Sequence, residues 1–162
     1  MTFRTQIGYF VLLTAALAAP CMEWSFDGKE PLRSDDGRTV LTGSATVAKG
    51  AGITGDALRF DGKKDFLELA LNDENRPRRE MTLSFWIRPE AGCTEFPIVR
   101  SPRRDVVFNG SSGFYWFEAY TADGRQLYNG CAHPRRLKSG EWHHFALVYD
   151  QTGVVAYLDG RP

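Results

Sequence analysis

Twenty residues, Glu141 to Gly160 (EWHHFALVYDQTGVVAYLDG), restrict the fold of this chain more than any other stretch. From Trp142 to Tyr149 nearly every residue is aromatic, β-branched or aliphatic. Successive strand residues point to opposite faces, so His143, Phe145, Leu147 and Tyr149 share one face and Trp142, His144, Ala146 and Val148 the other. Neither face is polar, and a strand of that kind is covered on both sides, as a central strand is. Asp150-Gln151-Thr152-Gly153 has the composition and length of a hairpin turn. Val154 to Leu158 then returns, and Asp159-Gly160 is a second turn signal. A hairpin this apolar is not stable alone in water. The rest of the chain must supply a sheet around it.

Several stretches can do so. Met81 to Arg88 alternates cleanly, with Met81, Leu83, Phe85 and Ile87 on a core face and Thr82, Ser84, Trp86 and Arg88 on the other. Trp86 is the exception on that polar face; a neighbour caps it or it lies on a concave working surface. Short strands are expected at Glu23–Asp27, Ala57–Asp61, Phe66–Leu71 (Leu67, Leu69 and Leu71 on one face), Phe96–Val99, Val106–Phe108, Gly113–Tyr120 and Gln126–Tyr128. Gly28 to Gly62 is rich in Gly, Ser, Thr and Asp and reads as brief strands with long turns. Asp73 to Glu80, with Pro77 among charges, reads as an exposed loop. After residue 18 no stretch keeps a 3.6-residue apolar period with caps, so almost no helix is expected. Aromatic residues make up 13% of the chain, which suits a sandwich filled with rings.

Four of these pieces, in order, resemble a known family. WSFDG at Trp24–Gly28, GDALRFDG at Gly55–Gly62, MTLSFWIRP at Met81–Pro89 and the Trp-His-His to Leu-Asp-Gly stretch are similar to the laminin-G-like module of the concanavalin A-type lectin/glucanase jelly rolls. The resemblance implies an all-β jelly-roll sandwich of two antiparallel sheets over residues 22–162. It implies a non-catalytic recognition module that binds carbohydrate or an extracellular or envelope protein. A glycoside hydrolase and a structural accessory module beside a catalytic domain are the alternatives on the same fold. In modules of this kind about three more strands follow the last turn seen here, and the final one pairs with the first. The chain is therefore expected to lack its last strands, leaving Trp24 and Phe26 without cover and Val154–Leu158 without a neighbour on one side.

Residues 1–18 read as a secretory leader. Arg4 supplies the positive start, Ile7 to Leu17 the apolar run, and Ala16-Leu17-Ala18 the small-x-small cleavage pattern. The run is too short to span a bilayer, so no membrane span is expected once the leader is removed. The mature chain would begin near Ala19, secreted, periplasmic or on the cell surface. Cys21 lacks the residues that lipid attachment requires before it, since Pro20 and Ala18 stand there. The 20 basic and 20 acidic residues cancel, which argues against a nucleic-acid partner. The short charged runs at 76–80, 103–105 and 135–138 read as solvated loops.

Retaining glycosidases need two carboxylates about 5–5.5 Å apart. Glu68 and Glu118 each stand alone in their strands, so no catalytic residues are assigned and no enzyme is expected. His143 and His144 point to opposite faces and cannot chelate one ion together; His143 is expected in the core and His144 beside Trp142. The resemblance implies a Ca²⁺ held in rim loops, with Asp27, Asp36 and Asp61 as its candidate ligands; the Asp-Gly pairs to which they belong are also turn formers in their own right. No cofactor is otherwise required. Sugar rings stack on exposed aromatic side chains, and Trp116, Glu118 and Tyr120, with Trp86 on a neighbouring strand, form the candidate platform. The same rings fit a second packing layer. Cys93 and Cys131 both lie in loops, and a bridge between them or two separate thiols are compatible with export.

Overall fold

The structure, a computed structural model, describes residues 2–4, 7–12, 22–73, 80–91, 95–100, 106–111, 115–120, 126–130, 137–150 and 153–162. Among them there is no helix. The strands are β1 (Thr2–Arg4), β2 (Ile7–Leu12), β3 (Thr42–Gly43), β4 (Thr46–Ala48), β5 (Ala57–Arg59), β6 (Phe66–Glu68), β7 (Met81–Pro89), β8 (Glu95–Arg100), β9 (Val106–Ser111), β10 (Tyr115–Tyr120), β11 (Gln126–Gly130), β12 (His143–Asp150) and β13 (Gly153–Leu158). They form two antiparallel sheets, ordered β11-β10-β9-β8-β1-β6-β3 and β13-β12-β7-β2-β5-β4.

The apolar strand β12 has a strand on either side, but only its His143–Phe145–Leu147 face is buried; the face of Trp142, His144, Ala146 and Val148 is half-exposed rather than covered. It pairs with β13 from Phe145↔Leu158 to Asp150↔Gly153 and with β7 from His143↔Ile87 to Tyr149↔Met81. Phe85 and Phe145 are register partners, and their rings stack at 5.7 Å and 20°. On that face Leu83, Phe85, Ile87, Phe145, Leu147, Ala156 and Leu158 are buried. Leu67 and Leu69, at and just beyond β6 of the other sheet, join the same cluster. The core therefore lies between the two sheets, as in a sandwich.

Glu23–Asp27 is not the strand that its sequence predicts. Phe26 has φ 63°, which breaks an extended run. The segment is instead tied to a turn through side chains: the Trp24 indole N–H donates to the Leu32 carbonyl at 3.1 Å, and the Ser25 N–H and hydroxyl both donate to Asp35 Oδ1. Nor do Trp24 and Phe26 lack cover. Each is 1% exposed, because the tie swings both rings into the central cluster. Val154–Leu158 does occupy a sheet edge, with β12 on one side.

β5 and β6 are consecutive but lie in different sheets, so Asp61–Asp65 is a corner between layers. Asp61 Oδ1 accepts the N–H groups of Lys63, Lys64 and Asp65 there. At the end of β13, Leu158 and Arg161 exchange N–H···O bonds of 2.9 and 3.0 Å around Asp159 (φ 51°) and Gly160 (φ 74°). Two positive φ values in a two-residue loop make a type I′ hairpin turn, the form Asp-Gly favours.

The segment read as a leader carries two strands: β1 lies between β6 and β8, and β2 between β5 and β7.

Phe85→Ala should lower stability by about 3–5 kcal/mol, the usual result of emptying a fully buried aromatic site. The urea midpoint should fall at constant slope. A loss below about 1 kcal/mol would mean that the two sheets do not close on Phe85.

Candidate functional site

The face of β7 and β12 turned away from the core carries the most chemistry among the described residues. Antiparallel register sets His144 opposite Trp86 and Ala146 opposite Ser84. The Trp86 and His144 rings meet at 5.0 Å, tilted by 58°, and both are half-buried. One step along, the Arg88 guanidinium lies 5.2 Å from the Trp142 ring centroid, a cation–π contact. His144 Nε2 and the Ser84 hydroxyl are 2.9 Å apart. Their spacing is that of a base and a nucleophile. Ser84, however, is only 3% exposed, so the pair orients the imidazole rather than presenting a hydroxyl to a substrate.

Behind this face His143 and Asp159 lock the sheet. The Lys138 N–H donates to His143 Nε2 at 3.2 Å, which leaves the ring proton on Nδ1, donated to Asp159 Oδ2 at 2.9 Å. Asp159 Oδ1 accepts the His144 N–H at 2.9 Å, and the Asp159 N–H donates to the His144 carbonyl at 2.8 Å. Burial raises the Asp159 carboxyl, but the His143 imidazole and the His144 N–H outweigh it and hold the pKa below its usual 3.8. Burial lowers His144 below 6.5, and the Asp159 charge offsets part of that. His144 is therefore neutral at neutral pH, so its two nitrogens offer one donor and one acceptor.

Trp86 is thus on an outward face, as its sequence position suggests, and its ring is capped by His144. Trp116, Glu118 and Tyr120 lie on β10, which pairs with β9 and β11 in the other sheet. They do not neighbour Trp86, and the four-residue platform is not a single surface of one sheet. Glu118 is half-buried; the side chains of Trp116 and Tyr120 are outside the described residues, as are Cys93 and Cys131. His143 is in the core as expected, but the ring beside His144 is Trp86 rather than Trp142. Ser84, Arg88, Trp142 and Asp159 were not expected in the site. Their signal was the antiparallel pairing of two alternating strands, which neither strand shows alone.

The three candidate calcium ligands each serve a turn. Asp27 Oδ1 accepts the Asp56 N–H at 2.7 Å, and its carboxylate presses on Gly55, where φ is 67° and a Cβ would clash with it. Asp36 Oδ1 accepts from the Ser34 hydroxyl and the Arg38 N–H, which draws its pKa down. The N–H groups around Asp61 draw its carboxyl down to about 2. Among the described residues, no three His, Cys, Asp or Glu side chains converge where a metal ion could sit. No helix there is long and apolar enough to cross a membrane.

Two antiparallel sheets around one aromatic core define a β-sandwich. The family model for laminin-G-type domains of the concanavalin A-like lectin/glucanases superfamily matches residues 61–162, well over half of the chain, and the chain belongs to that superfamily. Neither the curated proteins nor the solved structures give a match to it.

Stability should fall with acid in two steps. The lowered His144 value means that the unfolded chain takes up a proton first, so stability is full above pH 6.5 and declines as pH falls from there. The lowered Asp159 value gives stability that is present above pH 3.8 and lost below it. His144→Gln should flatten the first step, and Asp159→Asn should shrink the second, which Asp36, Asp56 and Asp61 share, each change on the order of 1 kcal/mol at partly exposed positions. Urea midpoints measured from pH 8 to pH 3 check both; unchanged profiles would sink the assignment.

Proposed function

We propose that this chain is an exported, non-catalytic recognition module and that the outward face of β7 and β12 binds carbohydrate. The observation that carries the reading is the Trp86–His144 pair: a half-buried aromatic ring, held by a neutral imidazole that Ser84 fixes in turn. A sugar needs an apolar ring face to stack on and fixed hydrogen-bond groups for its hydroxyls. Trp86 offers the first; His144 and Arg88 stand beside it for the second. The nearby carboxylate, Asp159, already holds His143 and the His144 N–H. That engagement favours binding over the two-carboxylate chemistry of glycoside hydrolysis.

Glycan-array binding, with and without calcium, tests the reading. Trp86→Ala should weaken binding of the best glycan roughly fivefold, the loss of a stacking contact near 1 kcal/mol, at unchanged far-UV spectrum. Unchanged affinity in a folded variant would move the site elsewhere. Capture of an envelope protein instead of any glycan would favour the protein-partner reading. Release of reducing sugar from β-glucans would replace both with the enzyme.

Export rests on Arg4, the apolar run Ile7–Leu17 and Ala16-Leu17-Ala18. N-terminal sequencing of material recovered outside the cytoplasm should begin near Ala19. A product that begins at Met1, or carries an acylated Cys21, would refute that part of the proposal.

A further inference from the structure

We propose that the ligand of the β7–β12 face is a neutral, linear oligosaccharide of three or more sugars, which crosses β12 obliquely from Trp86 to a second stacking ring, Tyr157 on β13. The inference rests on the carbohydrate reading of that face and adds the length, the course and the charge of the ligand. Tyr157 lies on the same face as Trp86. It stands between Ala156 and Leu158, which are 8% and 2% exposed and turn into the core, so strand alternation turns its own ring outward, where it is half-buried. The pairing registers give its place. Trp86 faces His144, and in the next outward row Ser84 faces Ala146, which in turn faces Tyr157.

Trp86 and Tyr157 are two strands and one outward row apart. Strands about 4.8 Å apart and a rise of about 3.3 Å per residue put the two backbone positions about 12 Å from each other. Neighbouring sugars of a chain have ring centres closer together than that, so the two side chains stack on different sugars with at least one between them. The ground between the rings is low. Ala146 carries only a methyl group, and Ser84 is 3% exposed and paired to the His144 ring. On the other side of the Trp86–His144 row the Arg88 guanidinium stands over the Trp142 ring, so the low course from Trp86 leads toward Tyr157. Ser84, Ala146 and Tyr157 carry no charge, nor does Val155, 43% exposed in the next outward row of β13. Asp159, the acid beside His144, is held by the His143 ring and the His144 N–H. A course of that kind suits a chain of hydroxyl-bearing sugars, whereas a uronate or sulfate calls for a basic partner along its length.

Length dependence tests it. Affinities of the full chain are measured by calorimetry for oligomers of glucose, galactose, mannose, xylose and N-acetylglucosamine, from one sugar to six, and for oligogalacturonates of the same lengths. The tightest neutral series should gain about fivefold or more between the dimer and the tetramer, the contribution of a second stacking ring. Tyr157→Ala should remove that gain, and Tyr157→Phe, which keeps the ring, should retain it. Ala146→Leu, which raises the low ground and leaves both rings in place, should remove it as well. Urea unfolding shows beforehand that each variant is folded under the conditions of the assay. A flat length profile, with binding that Trp86→Ala still weakens, would overturn this proposal and leave the carbohydrate reading of the face standing. A gain that survives Tyr157→Ala, or tighter binding of the oligogalacturonates, would do the same. Binding of no neutral series would also overturn it, and silence of every glycan on the array would take the carbohydrate reading with it.

Discussion

The pairing of β7 with β12 is the contact on which the rest of the structure depends. Seven residue pairs run from His143↔Ile87 to Tyr149↔Met81, and both faces of that ladder are in use. Inward, Phe85 stacks on Phe145 and anchors the packing of one sheet on the other. Outward, the same register brings Trp86 to His144 and Ser84 within reach of the imidazole. A slip of β12 by one residue would turn that strand over, burying His144 and exposing Phe145 while Trp86 and Phe85 kept their faces on β7. Site and core are thus one commitment. The outer face has its geometry because the inner face tolerates no other register.

Electrostatics around this ladder serve architecture first. Asp27, Asp36 and Asp61 each hold a turn with N–H groups, and Asp159 holds the end of the last hairpin. These carboxylates are acceptors for backbone donors that a strand-rich chain leaves over at its corners. Trp86, His144 and Arg88 stand differently: their rings and guanidinium lie over a sheet face that is already hydrogen-bonded through the backbone. That difference separates the residues that build the corners of the sandwich from those of the outer face that we propose as the binding surface.

Much of this fold was legible in the sequence. The alternation of Met81–Arg88 and the two unpolar faces of Trp142–Tyr149 give strand, face and central position, because period-two burial leaves a period-two pattern. Phe26 was not legible. An aromatic residue inside EWSFD has high strand propensity, and its positive φ goes with a tertiary tie through Ser25 and Asp35 that the sequence does not show. The separation of β5 from β6 was hidden for a related reason. A turn sequence such as Asp61–Asp65 reads the same whether it joins strands within a sheet or across two. The site was half visible: Trp86 stood out on its own strand, while its partners depend on a pairing between residues about sixty positions apart.

The Asp159 cross-tie has a consequence for how the last hairpin can come apart. An edge strand ordinarily frays from its free end and can be traded between copies of a protein. Here β13 is joined covalently to β12 at one end, and at the other its terminus is held by Asp159 to both the backbone of His144 and the ring of His143. His143 is in turn bonded to Lys138, ahead of β12. The hairpin is therefore closed like a loop rather than open like a flap. Trading β13 alone to a neighbouring molecule would require breaking three hydrogen bonds at Asp159 before the ladder to β12 opened from that end.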